Sequence, residues 1–131
     1  MATIKTFEEI ESWKLARELC RTIGLLIDGG RFGNSFRLVS QIESSPGSIM
    51  NNIAKGFERG TRAEFIQFLG YAKGSCGELR SQLYRSLDRV FISQAEFDEL
   101  VEIAVATSGL IQKFIGYLNK TKIEGSRKKQ S

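Results

Sequence analysis

The segment IESSPGSIMNNIAKGFERG, residues 42–60, holds the only proline of the chain and decides how many helices the fold contains. Its apolar positions and those just before it fall within about 100° of one another on a helical wheel: Leu38, Val39, Ile42, Pro46, Ile49, Ile53 and Phe57. A loop gives no reason for this phase to continue across Pro46. The pattern predicts one helix over residues 35–58, kinked or loosened near Pro46. The alternative is two short helices with a break at residues 44–47.

A proline inside a helix leaves the carbonyl four residues back without its donor, here that of Ile42. Ser44, Ser45 or a water molecule could help to satisfy that carbonyl. A phosphate-binding loop is excluded for this segment, because no Gly-x-x-x-x-Gly-Lys-Ser/Thr pattern is present and no strand pattern precedes it.

Three capping boxes predict the starts of the other helices. In this motif a Ser or Thr and a Glu three residues later each satisfy the other's free backbone N–H. The boxes are Thr6 with Glu9, Thr61 with Glu64, and Ser93 with Glu96. Apolar residues at helical spacing follow each box, which predicts helices over residues 7–28, 62–90 and 94–119. The fold class is therefore all-α, an up-down-up-down four-helix bundle over residues 1–119, with a disordered basic tail over residues 120–131.

Composition narrows the class of function. The 131 residues are 41% hydrophobic and 26% charged, as expected for one soluble globular domain, and no apolar run is long enough to span a membrane. No secretory signal is visible, which makes the cytoplasm the default location. The chain has no histidine, so the usual general base and the commonest metal ligand are missing. Cys20 and Cys76 fall on apolar stripes and are expected to be buried thiols. We expect no enzyme, no cofactor and no metal site.

Several sequence motifs carry a family resemblance. They are FEEIESWKLARELC from residue 7, RFGNSFRLVSQI from residue 31, SIMNNIAKGFERG from residue 48 and EFIQFLGYAKGSCGELRSQL from residue 64. The chain resembles the bacterial four-helix-bundle family encoded in intervening sequences of 23S ribosomal RNA genes, up to about residue 118. It is also similar to the accessory variability determinant proteins of diversity-generating retroelements. The resemblance implies homopentameric barrels and, through the retroelement proteins, binding to nucleic acid and to a reverse transcriptase.

The chain departs from the family pattern at several positions. Met50 stands where the family often has proline, and Lys55 stands where it often has glutamate. Glu43 and Ser44 stand where a pair of arginines is common. The last departure removes positive charge, which argues against a nucleic-acid role for that position.

A line of small residues on the third helix predicts self-association. Gly70, Gly74 and Gly77 lie almost opposite the apolar stripe, although each glycine in a helix interior costs about 1 kcal/mol relative to alanine. The fourth helix also carries about 200° of apolar surface, against the usual 100° or so. The alternative is a wide intramolecular contact with a shallow glycine groove. The predicted interface of the homo-oligomer consists of Ile66, Gly70, Gly74, Gly77, Ser81, Ile103, Leu110, Phe114 and Tyr117.

Charge is uneven along the chain. Residues 1–119 hold 14 of the 19 basic and 14 of the 15 acidic residues, so the net charge of +4 belongs to the tail. The tail is either a solvated terminus or a phosphate-binding arm. The candidate nucleic-acid contacts are Arg59, Arg62, Arg80, Arg85 and Arg89 in the body and Lys120, Lys122, Arg127, Lys128 and Lys129 in the tail. The predicted function is a homo-oligomeric scaffold that binds RNA or DNA. The alternative is a protein-interaction module, such as a partner of a reverse transcriptase.

Overall fold

Four α-helices make up most of the chain. The computed structural model describes the backbone of residues 3–130 and the side chains of residues 3–121. Within that range a 3₁₀ turn (Phe7–Glu9) is followed by α1 (Glu11–Asp28), α2 (Phe36–Glu58), α3 (Arg62–Asp88) and α4 (Gln94–Gln130), with no strand. The all-helical prediction is confirmed.

Two of the capping boxes start helices where the sequence predicts. The hydroxyl of Thr61 accepts a hydrogen bond from the backbone N–H of Glu64 at 3.2 Å, and α3 begins at the next residue, Arg62. The Ser93 hydroxyl accepts from the Glu96 N–H at 3.1 Å, and the Glu96 carboxylate accepts from the Ser93 N–H at 2.8 Å. The backbone of α4 then continues to Gln130, past the predicted end at residue 119. Most of the predicted tail falls on residues 122–131, outside the described side chains, and its disorder stays a prediction.

The start of the first helix was predicted wrongly. The Thr6–Glu9 capping box is present, but the turn that it caps is 3₁₀ and stops at Glu9. Ile10 is extended (φ −74°, ψ 123°), and α1 begins only at Glu11. The break has a packing reason, because it lets Ile10 bury its side chain and brings the Phe7 ring to 5.3 Å from that of Trp13.

The proline lies inside one continuous helix, as predicted. α2 runs through Pro46, whose peptide bond is trans, and the proline side chain is buried. The Ser45 hydroxyl lies 2.8 Å from Oε1 of Gln82 and 3.1 Å from the carbonyl oxygen of Gln41. Ser45 therefore contacts the carbonyl next to that of Ile42 and also joins α2 to α3.

Each helix packs against two others. Contacts join α1 to α2, α2 to α3, α3 to α4 and α4 to α1, while the described residues of the diagonal pairs do not meet. Neighbours are antiparallel, as in the contact of Phe65 with Phe114 near one end of α3 and of Tyr84 with Phe97 near the other. The result is the up-down-up-down bundle. Cys76 is buried as predicted, but Cys20 is only half-buried, with its Sγ 3.4 Å from Sδ of Met50.

Small residues hold α2 close to α3. A Cβ atom at the buried Gly56 would lie 2.7 Å from Cβ of Phe68, which is too close for any real contact. Along the same seam the hydroxyls of Ser48 and Ser75 are 3.0 Å apart. The side-chain amide of Asn52 donates to the Ser48 carbonyl at 2.9 Å, so Asn52 forms a hydrogen bond within α2. Residues 48–56 thus contribute to the packing of α2 against α3.

Candidate interfaces for assembly and nucleic acid

The predicted glycine line on α3 lies on the exposed side of the helix. Gly70, Gly74, Gly77 and Ser81 are all exposed. A Cβ atom at any of the three glycines would meet no side chain or neighbouring helix within 4 Å. Nothing in the described chain therefore requires glycine at these positions, in contrast to Gly56.

A shallow groove of about 330 Å³ runs beside the glycine line. It is bordered by Gly70, Lys73, Gly74, Gly77 and Arg80 of α3 and by Ser108 of α4. Lys73 and Arg80 are exposed, and neither forms an ion pair with any residue from 3 to 121. The groove thus joins a closely approachable backbone to two free positive charges. We call it the α3 groove.

The α4 half of the predicted interface forms a separate surface. Leu110, Phe114 and Tyr117 border a cleft of about 510 Å³ next to the N-terminal segment, and this cleft shares no residue with the α3 groove. Ile66, Ile103 and Phe114 are half-buried and pack against the core. The Phe114 ring lies 5.1 Å from that of Phe65. Part of the extra apolar surface of α4 is therefore used within the chain. Six of the nine predicted interface residues divide between the two surfaces, and Ile66, Ser81 and Ile103 border neither.

The predicted arginines do not form one patch. Arg62 and Arg89 are separated by about 40 Å along the axis of α3, at 1.5 Å per residue. Arg59 pairs with Glu64 at 2.5 Å, Arg85 donates to Oε1 of Gln41 at 2.7 Å, and Arg89 lies over the Phe91 ring at 4.9 Å. Only Arg80 lies in the α3 groove.

Among the tail cations, Lys120 is exposed. The other predicted contacts of the tail, Lys122, Arg127, Lys128 and Lys129, lie outside the described side chains.

A second basic surface was missed by the sequence reasoning. Phe68 is half-buried, and both Nζ of Lys55 and Cζ of Arg59 lie 5.8 Å from its ring centre. The half-exposed Tyr71 ring lies 5.6 Å from the Phe68 ring. Cations beside aromatic rings are typical of single-stranded nucleic-acid sites. Lys55 and Arg59 are four residues apart on one helix face, a spacing that could have indicated this surface.

The titratable groups offer no reactive centre among the described residues. Burial raises the pKa of the Cys76 thiol to about 11 and also raises that of Cys20, so both are protonated at neutral pH. Residues 3–121 contain no cluster of three Cys, Asp or Glu side chains that could hold a metal ion. No described helix is both long and apolar enough to cross a membrane.

These features define an all-helical bundle with candidate docking surfaces. Residues 8–113 match the family described as 23S rRNA-intervening sequence protein, and the chain belongs to that family. A crystal structure of a protein of unknown function from the S23 ribosomal protein family of Bacteroides thetaiotaomicron has the same fold, with a TM-score of 0.69 and 20% sequence identity. The alignment covers 79% of this chain and 97% of that one. No curated protein matches the chain.

Proposed function

We propose that this protein is a non-enzymatic, cytoplasmic scaffold that assembles as a homo-oligomer and binds RNA or DNA through localised positive charge. The observation that carries the proposal is the exposed glycine line of α3. Three interior glycines cost about 1 kcal/mol each relative to alanine. Since no part of the described chain packs against them, a second chain that approaches the helix backbone would explain their presence.

The number of subunits comes from the resemblance, which implies a pentamer. The division of the predicted interface into two surfaces supports a ring of this kind. Rings with more than two subunits join unlike patches of successive copies, whereas a two-fold dimer joins a patch to itself. In this ring the α3 groove of one copy contacts the α4 edge of the next copy. We use this name for the surface formed by Leu110, Phe114 and Tyr117.

Assembly is tested by light scattering on the full chain at micromolar concentration. A homo-oligomer is expected, and a monomer would refute the proposal. Gly74→Leu places a bulky side chain in the α3 groove and should give smaller species while helicity is retained. Gly109→Leu is the matched control, because Gly109 is also exposed inside a helix with open space around it but lies in neither surface. If both variants assemble equally, the α3 groove is not part of the interface.

Nucleic-acid binding is the second part of the proposal. Support comes from the Lys55–Arg59–Phe68 surface, which shares no residue with the α3 groove or with the cleft beside α4. Five tails on one assembly would add about 25 cations, and multivalency strengthens weak contacts. Binding should tolerate any sequence and weaken steeply with salt, because it depends on phosphate contacts.

The test is a titration with structured RNA, single-stranded RNA and duplex DNA at two salt concentrations. Lys55→Gln should reduce the salt slope by about 1, as expected for one lost phosphate contact. A chain ending at Asn119 separates the tail from the body, since equal binding by both chains would assign the site to the body. Binding that does not respond to salt, or no binding, would refute this part.

A protein-interaction module, with a reverse transcriptase as the partner, is the second candidate. It is favoured by two large apolar side chains at the end of the bundle that carries the α1–α2 and α3–α4 loops. Phe36 is 75% exposed and Val90 is 83% exposed. A pull-down with the reverse transcriptase, comparing the wild type with Phe36→Ser, tests this candidate. Equal capture by both proteins would refute a role for this end.

A further inference from the structure

An exposed aromatic ring lies beside the Lys55–Arg59–Phe68 surface. Tyr71 follows Phe68 by three residues on α3, and the two rings are 5.6 Å apart with their planes at 85°. Tyr71 remains 51% exposed. Its hydroxyl accepts a hydrogen bond from the side-chain amide of Gln67 at 2.8 Å, so contacts hold both the ring and the hydroxyl. An exposed ring in a fixed orientation loses little conformational freedom when a flat ligand stacks on it.

The charged groups of the surface leave positive charge available beside this ring. Nζ of Lys55 lies 5.8 Å from the Phe68 ring centre and forms no ion pair with any residue from 3 to 121. Arg59 bonds to Glu64 through Nε, and its two Nη atoms form no hydrogen bond within the same range. The surface therefore offers an ammonium group and the outer edge of a guanidinium, and both are suited to bind phosphate oxygens.

This combination fits an unpaired nucleotide better than a duplex. In a double helix the faces of each base are covered by its neighbours, so only the phosphates can contact a protein surface of this kind. In a single strand a base can turn outwards and stack on an aromatic side chain. Proteins that bind single strands without reading their sequence combine such stacking with basic groups along the backbone.

We propose that this surface binds single-stranded nucleic acid, with one base stacked on the exposed face of Tyr71 and the adjoining phosphates paired with Lys55 and Arg59. Phe68 supports the Tyr71 ring and is not itself the stacking platform, because the two cations already lie over its ring. The inference rests on the nucleic-acid binding proposed above and names the form of nucleic acid that the site takes. None of these residues borders the α3 groove or belongs to the α4 edge, so each copy in a ring would carry one such site.

The test compares two strands of about six nucleotides, a length typical of one single-strand site. One is oligothymidylate, and the other is an abasic oligodeoxynucleotide with the same phosphates and no bases. Isothermal titration calorimetry on the full chain at low salt should show tighter binding of oligothymidylate to the wild type, by roughly five- to a hundredfold. Tyr71→Leu should abolish this preference and leave the binding of the abasic strand and of duplex DNA unchanged. Tyr71→Phe keeps the ring and should retain the preference.

Tyr84→Leu is the matched control. Tyr84 is 57% exposed on the same helix, but it lies about 20 Å further along α3 and its ring packs on Phe97 of α4. This variant should bind both strands as the wild type does, and circular dichroism checks that each variant keeps its helices.

Two results would overturn this inference while the proposed function still stands. The first is salt-sensitive binding in which the wild type does not distinguish the two strands. The second is a Tyr71→Leu protein that binds the abasic strand and duplex DNA as weakly as it binds oligothymidylate, which would mean that the ring only shapes the surface. The absence of binding to any nucleic acid would refute the proposed nucleic-acid binding and this inference together.

Discussion

Replacing Gly56 by alanine should destabilise the bundle, although alanine is the better helix former. The substitution gains about 1 kcal/mol of helix propensity. The new Cβ would lie 2.7 Å from Cβ of Phe68 and 3.1 Å from the Phe65 ring, and the first of these atoms cannot rotate away. Overpacking of this kind costs about 1–3 kcal/mol, so the expected net loss is about 1 kcal/mol. Separation of the helices would also lengthen the 3.0 Å Ser48–Ser75 hydrogen bond.

Gly47→Ala is the matched control for this experiment. Gly47 lies in the same helix, and a Cβ there would meet nothing within 4 Å, so this variant should gain up to about 1 kcal/mol. The two variants should therefore differ by about 2 kcal/mol, or about 8 °C in melting temperature for a chain of this size. Urea unfolding followed by circular dichroism, at one protein concentration, measures the difference. A Gly56→Ala protein as stable as Gly47→Ala would refute the close packing of α2 on α3.

Three further predictions concern stability. Val90 has φ +61° at the end of α3, where a β-branched residue is strained. Val90→Gly should therefore raise the urea midpoint by the equivalent of about 1 kcal/mol. A lower midpoint would contradict that strain. Pro46→Ala restores the hydrogen-bond donor for the Ile42 carbonyl, which is a gain of about 3 kcal/mol, but loses the contacts of the proline ring. The variant should therefore keep the fold and be more stable by about 1 kcal/mol. A loss of helicity measured by circular dichroism would contradict this. The Arg31 guanidinium lowers the pKa of Glu96 to about 2, so this pair stabilises the fold above pH 4.5, the ordinary value, and the contribution disappears as the pH falls towards 2. Glu96→Gln should therefore cost up to about 1 kcal/mol at pH 7 and nothing near pH 2, and a cost that is the same at both pH values would refute the assignment.

The parts of the fold that local chemistry specifies could be predicted from the sequence. The Thr61 and Ser93 boxes start helices because both partners lie within one turn of each other. The spacing of the apolar residues correctly predicted that α2 continues through Pro46. Burial of the whole apolar face of the helix stabilises it by more than the missing hydrogen bond of Pro46 costs. The Thr6 box shows the limit of such signals. A capping box indicates that a helical turn begins, and the packing of Ile10 and Phe7 decides that this turn ends at once.

The candidate site was less predictable, because it depends on how helices sit against one another. The wheel identified the glycine line as lying away from the core, and the structure confirms that it is exposed. The helical wheel could not distinguish these exposed glycines from Gly56 of α2, where a side chain would collide with Phe68 of α3. It could not show that Phe68 receives Lys55 and Arg59 from α2, or that the predicted interface divides into two surfaces.

Under the proposed assembly, that division into two surfaces makes the protein sensitive to a minority of faulty copies. A row of subunits joined through unlike patches always exposes one unused patch at each end, until the row closes on itself or grows into a filament. A Gly74→Leu subunit would still present an intact α4 edge, so it would join one neighbour and accept no other. Mixed into wild-type protein, such a subunit would end each row that it joins. That row could not close into a ring, and its wild-type copies would remain in an incomplete assembly.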